Sequence, residues 1–96
     1  MQNISIIRPT EARVVTGCTK TRMWSLQQEG LMVKPIRLGP RSSGYLKHEI
    51  DALIAARAAG CEDAELINLV KKLELKRKQI FDDVMAELNK HEAAEV

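Results

Sequence analysis

Lys20, Thr21, Arg22, Ser25 and Gln28 fall within nine consecutive residues, and each carries a hydrogen-bond donor, two of them cationic. Such donors suit phosphate oxygens and the edges of nucleic-acid bases. They also suit water, and a solvated helix face would carry the same residues with no ligand at all. A second basic set follows in Lys34, Arg37 and Arg41, with Ser42 and Ser43 next in sequence. Formal net charge is only +2, but residues 1–60 hold nine Lys/Arg against four Asp/Glu, and residues 61–96 hold six against nine. Phosphate contacts supply most non-specific affinity for DNA, so the basic front would meet a polyanion and the acidic tail would face away.

Other chemistry finds less support. Cys18 and Cys61 stand far apart and outside any Cys-x-x-Cys pair, which fits reduced, half-buried thiols and neither a zinc framework nor a redox centre. His48 and His91 added to them match no compact zinc module, so no metal is expected. Nucleophile elbow, glycine-rich phosphate loop and His-Glu-x-x-His helix are all missing from the sequence, and the reading is of a non-enzyme without a cofactor. No run approaches the roughly 18 apolar residues of a membrane span, and the opening MQNISIIRPT lacks the segments of a secretion signal. A cytoplasmic, nucleoid-associated chain is therefore expected.

The elements that must position these residues are mainly helical. Ile4, Ile6 and Ile7 fit either an edge strand or an arm lying on the core. Pro9-Thr10-Glu11 reads as a helix start with Thr10 as cap, Ala12, Val14 and Val15 as apolar surface, and Gly17 as terminator. A second helix runs from the cap Thr19 to Gln28, with Gly30 just beyond; Met23 and Leu26, three apart, face a core and leave the polar set opposite. From 34 to 46 the period shortens: Lys34 to Leu38 alternates, Gly39 to Gly44 is dense in turn residues, and Tyr45-Leu46 is apolar again. This reads as a two-stranded hairpin whose first strand Pro35 confines to an edge or to its own start. A third helix spans about Lys47–Ala59 with Ile50, Leu53 and Ile54 as its stripe, and Gly60 closes a first domain of residues 1–60.

Residues 61–96 read as one long helix from about Glu62 to His91, acidic in its first turn and free of Gly and Pro. Leu66, Val70, Leu73, Ile80 and Val84 follow steps of four and three, with Arg77 in the intervening seam position. Either the parent domain or a partner helix can bury this stripe. Self-association is the preferred reading, because a polar seam residue such as Arg77 often specifies register in dimers. Lys71-Lys72 and Lys76-Arg77-Lys78 read as a solvated face with pairing of the Glu74–Lys78 kind.

Two short helices joined around Thr16-Gly17-Cys18, a basic hairpin and a further amphipathic helix compose a winged helix-turn-helix. The residues Thr16 to Trp24, then Gln28-Glu29-Gly30, then Pro35-Ile36-Arg37-Leu38-Gly39-Pro40-Arg41 with Gly44, and Glu49-Ile50-Asp51-Ala52, resemble the AlpA-type regulators of prophages and integrative elements. Their fold is similar to the MerR-like winged helix and to small excisionases. The resemblance covers about residues 8–58; Trp24 stands where that family commonly has Tyr, and Lys47-His48 replaces a more usual acidic or capping pair.

What the resemblance implies is sequence-specific binding of double-stranded DNA by a transcriptional regulator of mobile-element genes. The alternative is an excisionase-like architectural factor, or a module recruiting a recombinase or the transcription machinery through its last helix. Carried onto this chain, Lys20, Thr21, Arg22 and Ser25 would face the major groove, with Arg22 placed for a bidentate contact to guanine. Trp24 and Gln28 would flank them, although a lone aromatic here packs on the core edge equally well. Arg37, Arg41, Ser42 and Ser43 on the wing would hold phosphates or enter the adjacent minor groove, with Lys34 as a further phosphate contact.

Overall fold

The computed structural model describes residues 4–95, the last five by backbone alone. Residues 1–3, part of the N-terminal segment left open above, lie outside the described residues. The chain forms β1 (Ile6–Ile7), α1 (Pro9–Thr16), α2 (Lys20–Gln28), β2 (Ile36–Gly39), β3 (Ser42–Leu46), α3 (Lys47–Ala58) and α4 (Asp63–Glu95). It is mainly helical, with one small antiparallel sheet and a long C-terminal helix.

Helix α1 starts one residue earlier than its composition suggests. Pro9 occupies the first turn, where its missing N–H is no loss, and Arg8 is the capping residue; Thr10 lies inside the helix and caps nothing. Its end is the expected one. Gly17 takes φ 70°, a left-handed conformation that costs a side chain dearly, and Cys18 N donates to Arg13 O at 3.0 Å. Ala12 is wholly buried, but Val14 and Val15 point outward, Val14 with 74% of its surface exposed. The apolar surface expected of all three comes from Ala12 alone.

The sheet has three strands, not two. Its order is β1-β3-β2, with Ile6 opposite Leu46 and Ile7 opposite Tyr45 on one side of β3, and Ile36 opposite Gly44 on the other. The strand alternative for Ile6 and Ile7 is thus the one realised. The hairpin turn is also tighter than composition suggests: only Pro40 and Arg41 lie between the strands, while Ser42, Ser43 and Gly44 pair within β3. A register shift between Arg37 and Gly39 bulges Leu38 out of the ladder. Pro35 lies just before β2, itself an edge strand, where its missing donor costs no ladder bond.

The core unites all these pieces. Ile7, Ala12, Met23, Leu26, Leu31, Met32, Val33, Tyr45, Ile50 and Leu53 close on one another, and Leu66 and Val70 of α4 belong to the same cluster. Leu73, Leu69 and Ile67 pack against it. The core therefore continues past Gly60 and takes in the first three turns of α4. Leu66, Val70 and Leu73, expected as part of an intermolecular seam, are filled by the protein's own interior. A heptad pattern fixes which face is apolar but says nothing of what covers it. On α3 the stripe is narrower than expected, because Ile54 lies at the exposed edge while Ile50 and Leu53 are buried. Helix α4 begins at Asp63 and continues past the expected end at His91. With 33 residues it is about 50 Å long, far longer than the core it packs on. Among the described residues no helix is long and apolar enough to cross a membrane.

Candidate nucleic-acid interface

Helix α2 is fixed at both ends and on one side. Thr19 is extended (φ −76°, ψ 167°) and its hydroxyl accepts from Arg22 N at 3.1 Å, satisfying one of the free N–H groups of the first turn. Gly30 follows the C-terminal turn. Met23 and Leu26 are buried, each contributing about 1.5–3 kcal/mol of apolar transfer. Lys20, Thr21, Arg22 and Gln28 are exposed, and Ser25 is half-buried. The expected division of the helix into core side and donor side is present.

Trp24 sides with the donors. Of its surface 63% is exposed, so most of the ring is open to solvent. Gln27, unremarked in the sequence, does structural work instead: its amide donates to Tyr45 Oη at 2.6 Å and to Val33 O at 3.3 Å. This ties α2 to β3 and to the segment leading into the hairpin, and so sets where the donors lie relative to the hairpin.

On the hairpin, Arg41 is at the turn and Arg37 stands opposite Ser43, so the two share a face of the sheet. Arg37 and Arg41 are both exposed, and Arg37 Nε lies 3.5 Å from Gly39 O. Ser42 and Ser43 are half-buried strand residues and not the free tip residues expected. Ser42 Oγ accepts from Arg8 Nη1 at 3.0 Å. Ser42 neighbours Ser43 in β3 and points to the other face of the sheet, so Arg8 is an arginine beside the hairpin on the face away from Arg37. Local sequence gave no sign of it, because it arrives through β1, whose pairing partner is 38 to 40 residues away.

Lys34 has a double role. Its side chain is exposed, as a phosphate contact requires, but its backbone is clamped by α4: Glu74 Oε2 accepts from Lys34 N at 2.9 Å and Arg77 Nη2 donates to Lys34 O at 2.8 Å. Arg77 also donates to both oxygens of Glu49, which is fully buried. The hydrogen bond to Glu49 raises the pKa of Arg77 above its ordinary value; burial opposes this, and the charges of Glu49 and Glu74 add to it. Arg77, expected to specify dimer register, and Glu74, expected to pair with Lys78, instead fix the entry to β2. Cys18 and Cys61 are free and half-buried.

The arrangement thus gives a helix carrying Lys20, Thr21, Arg22 and Trp24 outward, linked by Gln27 and the core to a hairpin carrying Arg37 and Arg41. Such a surface can make charge-assisted hydrogen bonds to phosphates and present a guanidinium and hydroxyls to base edges. No family model, curated protein or solved structure matches the chain.

Proposed function

We propose that this chain is a sequence-specific DNA-binding regulator with a winged helix-turn-helix, of the AlpA type that its sequence resembles. Helix α2 enters the major groove, and the β2–β3 hairpin acts as a wing on the flanking backbone or minor groove. The chain acts without cofactor, on double-stranded DNA in the cytoplasm, as a homodimer through α4. What carries the reading is the division of α2: Met23 and Leu26 lock it into the core while Lys20, Thr21 and Arg22, at its N-terminal end, stay exposed. That end is the part of a recognition helix that meets bases. Arg37 and Arg41 supply the phosphate-holding charge and fix register more than sequence.

The test is a gel shift on DNA flanking its own gene, against scrambled duplexes of equal length. Arg22→Ala loses the preference for the specific site, whereas Arg41→Ala weakens specific and scrambled DNA alike. Unaltered specific binding by both variants would sink the proposal.

A second reading is favoured by one observation, the exposed apolar residues Leu75, Phe81, Val84, Met85 and Leu88 on α4. A surface of that kind marks a protein contact. It supports an architectural factor or a module that recruits a recombinase or the transcription machinery, which is compatible with DNA binding by the front half.

A further inference from the structure

The chain between α2 and the hairpin is held by side chains from two helices. Gln27 of α2 donates to Val33 O, Glu74 of α4 accepts from Lys34 N at 2.9 Å, and Arg77 of α4 donates to Lys34 O at 2.8 Å. Glu74 and Arg77, three apart, lie on the same side of the helix, so they close on the N–H and the C=O of one residue. Arg77 cannot follow a moving Lys34, because its Nη2 and Nε are also held by the buried carboxylate of Glu49 on α3. What comes after Lys34 transmits its position. Pro35 fixes its own φ at about −65° and biases Lys34 to extended backbone, so this link has little freedom to absorb a shift. Arg37 lies just beyond, on β2, an edge strand with β3 on one side only. Of the two hairpin strands, β3 is anchored by β1 and by Tyr45 in the core, whereas β2 is anchored at its base by this clamp from α4.

We propose that Glu74 is a positioning residue for DNA binding: by holding Lys34 N it sets where β2 and its Arg37 meet the phosphates, so that an acidic side chain on the last helix strengthens the binding of a polyanion. The inference rests on the DNA reading above and adds to it a dependence of the wing on α4. The sign of the effect separates positioning from simple electrostatics. By charge alone a carboxylate repels a phosphate backbone, and its loss tightens binding. By position, loss of the acceptor frees Lys34 N and lets β2 shift, which weakens binding. The backbone N–H needs an acceptor oxygen and not a charge, and the amide oxygen of a glutamine serves as well. Arg77 shares the clamp, but its removal leaves Glu49 unpaired in the core, so Glu74 is the cleaner probe.

The full chain carrying Glu74→Ala or Glu74→Gln is titrated with the duplex flanking its own gene and with a scrambled duplex, at several salt concentrations. Glu74→Ala weakens both complexes about fivefold and lowers the salt slope, because the phosphate contact of Arg37 is displaced. Glu74→Gln, which keeps the acceptor, binds at least as tightly as the wild type. In the free protein the amide resonances of Arg37 and Gly39 move in Glu74→Ala and stay near their wild-type positions in Glu74→Gln, while those of Met23 and Leu26 stay in place in both. Equal effects of the two variants in either direction overturn the proposal, as does wild-type affinity in Glu74→Ala or a hairpin whose amides do not move. Movement of Met23 and Leu26 as well assigns Glu74 to the fold at large and also overturns it. If the wild-type chain binds neither duplex, the DNA reading itself fails and this role falls with it, whereas a wild-type chain that binds and is indifferent to Glu74→Ala removes the clamp's role alone.

Discussion

Arg77 of α4 grips Glu49 of α3 with both sides of its guanidinium, Nη2 to Oε1 at 2.6 Å and Nε to Oε2 at 2.9 Å. Glu49 has no exposed surface, and Arg77 is 25% exposed. Removing one partner of a buried pair leaves the other charge unpaired, which costs more than the pair itself contributes. Arg77→Ala should therefore destabilise the fold by about 3 kcal/mol, the lower part of the range for such pairs because Arg77 is partly hydrated. Arg77→Met with Glu49→Met should recover most of that loss, since two apolar groups of similar volume leave no orphan charge. Urea unfolding of the two variants checks this, and equal losses in both would contradict it.

Gly44 sits where three elements meet. A Cβ there would lie 2.6 Å from Ile6 Cγ2, 3.1 Å from Ile7 O and 3.1 Å from Leu38 Cδ1. The Ile6 side chain can turn away, but the backbone oxygen of β1 belongs to the sheet and can move only with its strand. Gly44→Ala should cost about 1–3 kcal/mol through forced displacement, seen as a lower urea midpoint. An unchanged midpoint would mean that β1 is not held this closely.

What the sequence made legible was local. Thr19 and Gly30 frame α2 because capping depends on the backbone of a few neighbours, and Met23 with Leu26 shows its buried side by spacing alone. The misreadings arise where distant chain decides. Ser42, Ser43 and Gly44 have the composition of a turn, yet pairing with Gly39, Arg37 and Ile36 of β2 draws them into a strand whose Tyr45 and Leu46 pair with β1 on the other side.

The candidate interface was legible to the same degree. Arg22, Arg37 and Arg41 are exposed as their positions suggested, while the contact of Arg8 with Ser42 arises only through a two-residue strand too short to carry a pattern. The stripe on α4 was correctly apolar and wrongly allotted. Leu66 and Val70 were filled from within the chain, and only the part beyond Arg77 remains for a partner.

Tyr45 and Gln27 join the sheet to α2 by a single bond of 2.6 Å between Nε2 and Oη. Tyr45→Phe keeps the buried ring and removes the acceptor, leaving the Gln27 amide its longer contact to Val33 O at 3.3 Å. The expected loss is about 1 kcal/mol, or roughly 4–8 °C in melting temperature for a domain of this size. Loss of order at the Gln27 side chain by NMR should accompany it. A melting temperature that does not move would show that the bond contributes nothing.

Salt dependence separates the basic residues assigned to DNA from those assigned to solvent. Each phosphate contact releases condensed counterions, so removing one lowers the slope of log affinity against log salt by about 1. If the hairpin holds the backbone, Arg37→Ala and Arg41→Ala should each lower the slope by about that amount on specific and scrambled duplexes alike. Lys71→Ala with Lys72→Ala, exposed on α4, should leave the slope unchanged although it removes as much charge as Arg37 and Arg41 together. The opposite pattern, a slope sensitive to α4 and indifferent to the hairpin, would move the DNA from the α2 and hairpin surface to the long helix.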